Sequence, residues 1–407
     1  MLEKKIDRAI RIFPWYAGLE GDLLFYIAIN TLFLTVVKGF SDVQIVSLNS
    51  VSQFVCIALQ FPVLFVIRRV GNTNSVRLGA LFMLMSAVLI TVGKTYFVVL
   101  IGRIFHDVAA IFYTASVVML KNNLELVGRR SEFIKIRARG NTVYSTITMV
   151  ISFVASLMFN LNHYLPMIGC ITTCSIGFLL TFFMADCSGS NKIALKNEKG
   201  EKNRFRYSGF VIMTLVVYGL FYPIVNSGQT DGKLFIQQQI LDGFSVEDTA
   251  LIIGAMICIS RIVRVASNIV FARIYEKHQT KTGIALPAML CAAVGLMLFG
   301  SLIPRIGIKI LVMGMGYVII LFVRDPFRLF IQDVLFASTP AEQHQTLLTM
   351  MTLVIKVGSA GMGLVFSAVL LKFPMFTVMT ILLAIALVEV LLSLVLCRMI
   401  TRAKVNG

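Results

Sequence analysis

Charge is scarce in this chain. Only 14% of its 407 residues are charged, while 57% are hydrophobic and the mean hydropathy is +0.86. A soluble domain carries about 25% charge, so a water-soluble fold is excluded. No Walker A motif occurs, which argues against ATP hydrolysis by this chain. No secretory signal peptide is expected: "MLEKKIDRAIRIF" is too polar, and the first apolar run is long enough to stay as a span. Cysteine is sparse and odd in number, at seven, with most inside apolar runs, so no disulfide framework is indicated. Cys170 and Cys174 share a helix face, but no His or carboxylate joins them, and neither a metal nor a cofactor is expected.

What is present is a series of long apolar runs. A spanning helix needs about 20 apolar residues, because lipid offers no partner to an unpaired backbone group. Runs of this kind cover Tyr16 to Val37, Val43 to Ile67, Val76 to Gly93, Tyr96 to Leu120, Asn141 to Leu161 and Leu165 to Ala185. After a polar stretch come Ser208 to Tyr222 or beyond, Asp248 to Ala272, Gly283 to Ile303, Ile308 to Ala337, Gln345 to Leu371 and Met375 to Met399. The expectation is an all-α membrane protein with twelve transmembrane helices in two sets of six.

The formal net charge of +17 raises the question of nucleic acid, and the position of the cations answers it. When flanking Lys and Arg are assigned to alternating sides, one side holds 25 and the other only Lys38, Lys94, Lys233, Arg305, Lys309 and Lys372. By the positive-inside rule both termini are cytoplasmic, and the charge is topological rather than a nucleic-acid footprint.

The stretch "DCSGSNKIALKNEKGEKNRFR" is the one long linker. It divides the chain into a first bundle over 1–185, a cytoplasmic linker over 186–207 and a second bundle over 208–407. An internal repeat supports the division: "GFSDVQIVSLNS" at Gly39 and "GFSVEDTALIIG" at Gly243 are offset by 204 residues, as are "TMVI" at Thr148 and "TLVI" at Thr352.

After the second run the chain reads "LFVIRRVGNT", and the fourth contains "LIGRIFHD". With the six-plus-six repeat, these stretches resemble the major facilitator superfamily of secondary transporters, over nearly the whole chain. In that family's loop motif Arg69 and Gly71 match the basic residue and the glycine, whereas Leu64 and Arg68 stand where the family has a glycine and an aspartate. Arg103 fits the family's arginine in the fourth helix. The fifth run, "STITMVISFVASLMF", lacks the glycine and proline pattern of the family's drug antiporters. The resemblance implies two six-helix bundles around a central cavity that opens alternately to the two faces, with Arg69 and Gly71 at a gate.

Charges inside spans are where transport chemistry should reside. They are Arg103, Arg261, Arg264, Arg324, Arg328 and Lys356, and Glu20, Asp22, Asp107, Asp325, Asp333 and Glu389. The first half has one of these cations and the second has the other five, so the halves should differ in charge. Arg103, His106 and Asp107 fall on one helix face, where a titratable His beside a carboxylate can pass a proton. Asp22 is a further proton-site candidate. Arg261, Arg264 and Lys356 lie too deep to snorkel, which leaves either anion binding or pairing with acids.

The stretch "FVRDPFRLFIQD" places Arg324, Asp325, Arg328 and Asp333 around Pro326, as a substrate-facing or an inner-gate cluster, with Asp325 and Asp333 at the gate. In "VVYGLFYPIVNSGQTDGK", Tyr222, Pro223, Asn226, Gly228 and Gly232 suggest an interrupted helix offering backbone groups to a ligand, or else an exit from the membrane. The sequence thus points to a proton-coupled symporter of a small organic anion, monomeric, multi-pass in the plasma membrane and in contact with lipid. Efflux of amphipathic compounds is the alternative within transport. A membrane enzyme using His106 and Asp107 on a lipid-linked substrate is the alternative of another class.

Overall fold

The computed structural model describes residues 2–187, 208–275, 279–339 and 344–406, and among these there is no β-strand. Thirteen α-helices follow one another: α1 Leu2–Leu19, α2 Leu24–Leu32, α3 Asp42–Val70, α4 Asn72–Val92, α5 Tyr96–Leu126, α6 Phe133–Leu161, α7 Leu165–Thr181, α8 Gly209–Leu241, α9 Val246–Tyr275, α10 Gln279–Gly300, α11 Ile306–Ala337, α12 His344–Leu370 and α13 Met375–Asn406. Ten helical segments among the described residues are long and apolar enough to cross a membrane, the first of them comprising α1, α2 and the short π-helical turn Phe33–Val37 that follows α2. The protein is therefore a multi-pass membrane protein. Two of the twelve expected spans stand outside that ten: α7, apolar but 17 residues long, and α9. The linker expected over 186–207 lies outside the described residues from 188 onward.

The chain divides into two compact units. One comprises Met1–Phe33 and Val55–Arg204, the other Leu34–Phe54 and Phe205–Gly407. In the first, the polar opening stretch is itself helical: Ile6, Ile10 and Phe13 recur at helical spacing and are buried with Tyr16, Ala115, Met119 and Leu124. The first span differs from the uninterrupted run expected over Tyr16 to Val37. It breaks at Glu20–Leu23, where Gly21 lies so close to the Tyr144 ring that a Cβ there would meet a ring carbon at 2.7 Å. Between α3 and α4, Gly71 has φ +83°, a left-handed conformation open to glycine, and it is this turn that its place in "RRVGN" serves.

In the second unit small residues set the helix crossings. A Cβ on Gly358 of α12 would sit 2.7 Å from the Gly219 carbonyl of α8, and one on Gly316 of α11 would sit 2.8 Å from Met297 of α10. Without a hydrophobic drive between helices in lipid, such close backbone approach supplies the packing. The interrupted helix expected around Tyr222–Gly232 is not found. α8 runs unbroken through Pro223, Gly228 and Gly232, with the glycines packed against Ile320 and Met297, so they serve contact rather than a break. Lys233, read as a loop cation, is instead 3% exposed within α8.

Candidate functional site

Each unit carries its own cluster of charged side chains among its helices, some of them buried and some, such as Arg328, exposed. In the first, the break in the opening span shapes the site. With α1 ended at Leu19, Asp22 accepts a 2.8 Å hydrogen bond from the Leu23 N–H at the start of α2, where a helix N-terminus favours an anion. The same Oδ1 lies 2.8 Å from His106 Nε2, and His106 Nδ1 lies 3.1 Å from Asp107 Oδ1. Arg103 closes the group, its Nη2 3.7 Å from Asp107 Oδ1. All but Asp22 come from α5, as the helical spacing requires.

Both nitrogens of His106 therefore face carboxylate oxygens. A neutral imidazole donates through only one nitrogen, so the second contact is a hydrogen bond only when the group Asp22, His106 and Asp107 holds one further proton. Such an arrangement can take up and release a proton without moving a side chain far.

The second cluster lies where α8, α9 and α11 meet. Arg264 of α9 grips Asp325 of α11 with both arms, Nε to Oδ2 at 2.6 Å and Nη2 to Oδ1 at 3.2 Å, and Asp325 is 5% exposed. Arg328 also approaches it, at 3.8 Å. Arg328, three residues along the same helix, is thus the looser partner of Asp325 and Arg264 the tighter. Arg324 donates from Nη1 to Gln229 Oε1 at 3.1 Å, and Tyr222 OH donates to the Arg324 carbonyl at 2.7 Å. Arg261 lies within electrostatic reach of Arg324 and of Lys233.

The other candidates are placed more loosely. Asn226 donates to Ser359 of α12 at 3.0 Å, which turns it towards that helix. Lys356 is half-buried on α12, three residues before Ser359, while Asp333 and Arg69 are exposed at the ends of α11 and α3. Two buried charges escaped the sequence reading, Asp231 and Lys233 of α8, because "NSGQTDGK" has the composition of a loop. Gln229 was missed for the same reason; its spacing of three from Asn226 is the signal that was there. Beyond the clusters, Glu20 and Glu389 are buried, each with one carboxyl oxygen that has no hydrogen-bond partner among the described residues. No cluster among those residues suits a metal ion.

Helices of this number and order make up a fold that solved membrane transporters share. No protein-family model and no curated protein sequence matches the chain. Solved structures do. The nucleoside transporter NupG aligns with a TM-score of 0.67 at 12% identity, over 98% of this chain and 99% of its own. A POT family transporter in complex with 5-aminolevulinic acid aligns with a TM-score of 0.64 at 12% identity, over 98% and 96%. A bacterial metal transporter aligns with a TM-score of 0.63 at 10% identity, over 97% and 98%. At such identities the likeness is one of fold.

Proposed function

We propose that the protein is a proton-coupled secondary transporter of a small organic anion, working by alternating access. The observation that carries this reading is the division of charge. The first unit's cluster holds two carboxylates, an imidazole and one guanidinium. The second holds Arg261, Arg264, Arg324 and Arg328 around the single carboxylate of Asp325. An acid-rich group able to change its proton content suits coupling, and a cation-rich group suits an anionic solute. The fold neighbours carry cargoes as different as a nucleoside and a metal, so the choice of solute rests on this chain's own charges. With both nitrogens of His106 engaged by carboxylates, the ring fits a proton relay better than a catalytic role on a lipid substrate.

The test is solute flux in proteoliposomes under an imposed pH gradient, screened over organic anions, cations and amphiphiles. An anion should accumulate with the gradient and drive proton entry when added to equilibrated vesicles. Accumulation of amphiphiles alone would instead support efflux.

The same reading places both termini in the cytoplasm and Asp242, after α8, on the outer face. In a background lacking reactive cysteines, an Asp242→Cys variant should react with an impermeant maleimide in intact cells. Ser131→Cys, exposed between α5 and α6, should react only after permeabilisation. Equal labelling of the two in intact cells would overturn the orientation.

A further inference from the structure

Within the second cluster the hydrogen-bonding balance is one-sided. Arg324 can only donate, so the amide oxygen of Gln229 must be the atom that faces it, and the Gln229 Nε2 is turned away. That Nε2 is buried and has no acceptor among the described residues, and neither has Nε of Arg261. Asp325 is engaged by Arg264 and Arg328, and no carboxylate of the described residues lies within ion-pair distance of Arg261 or Arg324. The nearby phenol of Tyr317 lies within electrostatic reach of both these arginines. Arg261 and Arg324 thus lie within electrostatic reach of each other, and beside the Arg324–Gln229 hydrogen bond the buried N–H donors of Arg261 Nε and Gln229 Nε2 have no acceptor among the described residues.

From this donor-only, doubly cationic arrangement we infer that the solute enters with a dianionic oxygen headgroup, a phosphate monoester or a dicarboxylate, bound by Arg261, Arg324 and the amide of Gln229. The inference rests on the anion-transport reading and sharpens it. A single carboxylate would neutralise one guanidinium and leave the other partly buried without a counter-charge, which is the costlier case. A dianion answers both charges and offers enough acceptors for the unmatched donors. Guanidinium forks fit carboxylate and phosphate alike, so the two headgroups share this chemistry.

The test compares matched probes on the purified full chain in detergent at pH 8, by calorimetric titration. The probes are methyl phosphate against dimethyl phosphate, and succinate against monomethyl succinate. In at least one pair the dianion should bind tenfold or more tightly than its monoanionic partner, and the pair that does so identifies the headgroup. Arg261→Gln and Arg324→Gln should each reduce that preference to about threefold or less. Gln229→Glu supplies an internal acceptor and counter-charge, so it should fold even where the arginine variants do not, and it should abolish the preference. Equal binding within both pairs overturns the dianion inference and leaves anion transport standing. No binding of any of the four, with uptake of neutral or cationic solutes in vesicles, overturns both.

Discussion

Asp325→Ala is expected to destabilise the protein more than Arg264→Ala does, although each removes one end of the same ion pair. Asp325 is the carboxylate that faces Arg264 at 2.6 Å and Arg328 at 3.8 Å, with Arg324 in electrostatic reach. Deleting it leaves several cations without their counter-charge, and breaking a buried pair from one end costs about 3–5 kcal/mol. Deleting Arg264 leaves the carboxylate with Arg328 and Arg324 still near, so the loss should fall at or below the lower end of that range. The double variant should recover part of the loss of Asp325→Ala, because the most tightly paired cation goes with its acid. Thermal melting of the three variants in one detergent measures this. An Asp325→Ala protein that melts with the wild type would show the pair to be dispensable, and would return Asp325 to a gating role.

The second large effect concerns coupling. Asp22→Asn keeps the shape of the side chain and its hold on the Leu23 N–H, but removes a group that can gain and lose a proton. Accumulation driven by a pH gradient should fall at least tenfold, while exchange of labelled for unlabelled solute at equal pH continues. Asp107→Asn should act in the same direction and in addition disturb Arg103, which approaches the same oxygen at 3.7 Å. Unchanged proton flux in both variants would remove this cluster from the mechanism. The contrast between exchange and accumulation is what separates coupling from a simple loss of folded protein.

Much of this architecture is legible in the chain because the bilayer imposes a length on every span. Arg103, His106 and Asp107 could be grouped from spacing alone, since residues three and four apart share a helix face. Their partner Asp22 could be suspected but not assigned: it lies 84 residues from His106, and its approach depends on a helix break hidden inside an apolar run. The pairing of Arg264 with Asp325, 61 residues apart, was illegible for the same reason, and Arg328, only three residues from Asp325, is the looser partner. In α8 the error was one of composition. Glycines that serve as contact surfaces against Ile320 and Met297 resemble loop glycines, and they drew Gln229, Asp231 and Lys233 out of the expected membrane span.

The long reach between Arg264 and Asp325 also bears on how the chain is made. α9 carries two arginines, Arg261 and Arg264, near its middle. On the scale of translocon-mediated insertion each costs about 2.5–3.5 kcal/mol at a helix centre. The carboxylate that offsets Arg264 is translated 61 residues later, on α11. At about 5–20 residues per second the ribosome needs roughly 3–12 s to reach it. During that interval Arg264 lacks the carboxylate of Asp325, so a chain cut short between α9 and α11 should insert α9 less completely than the full chain does.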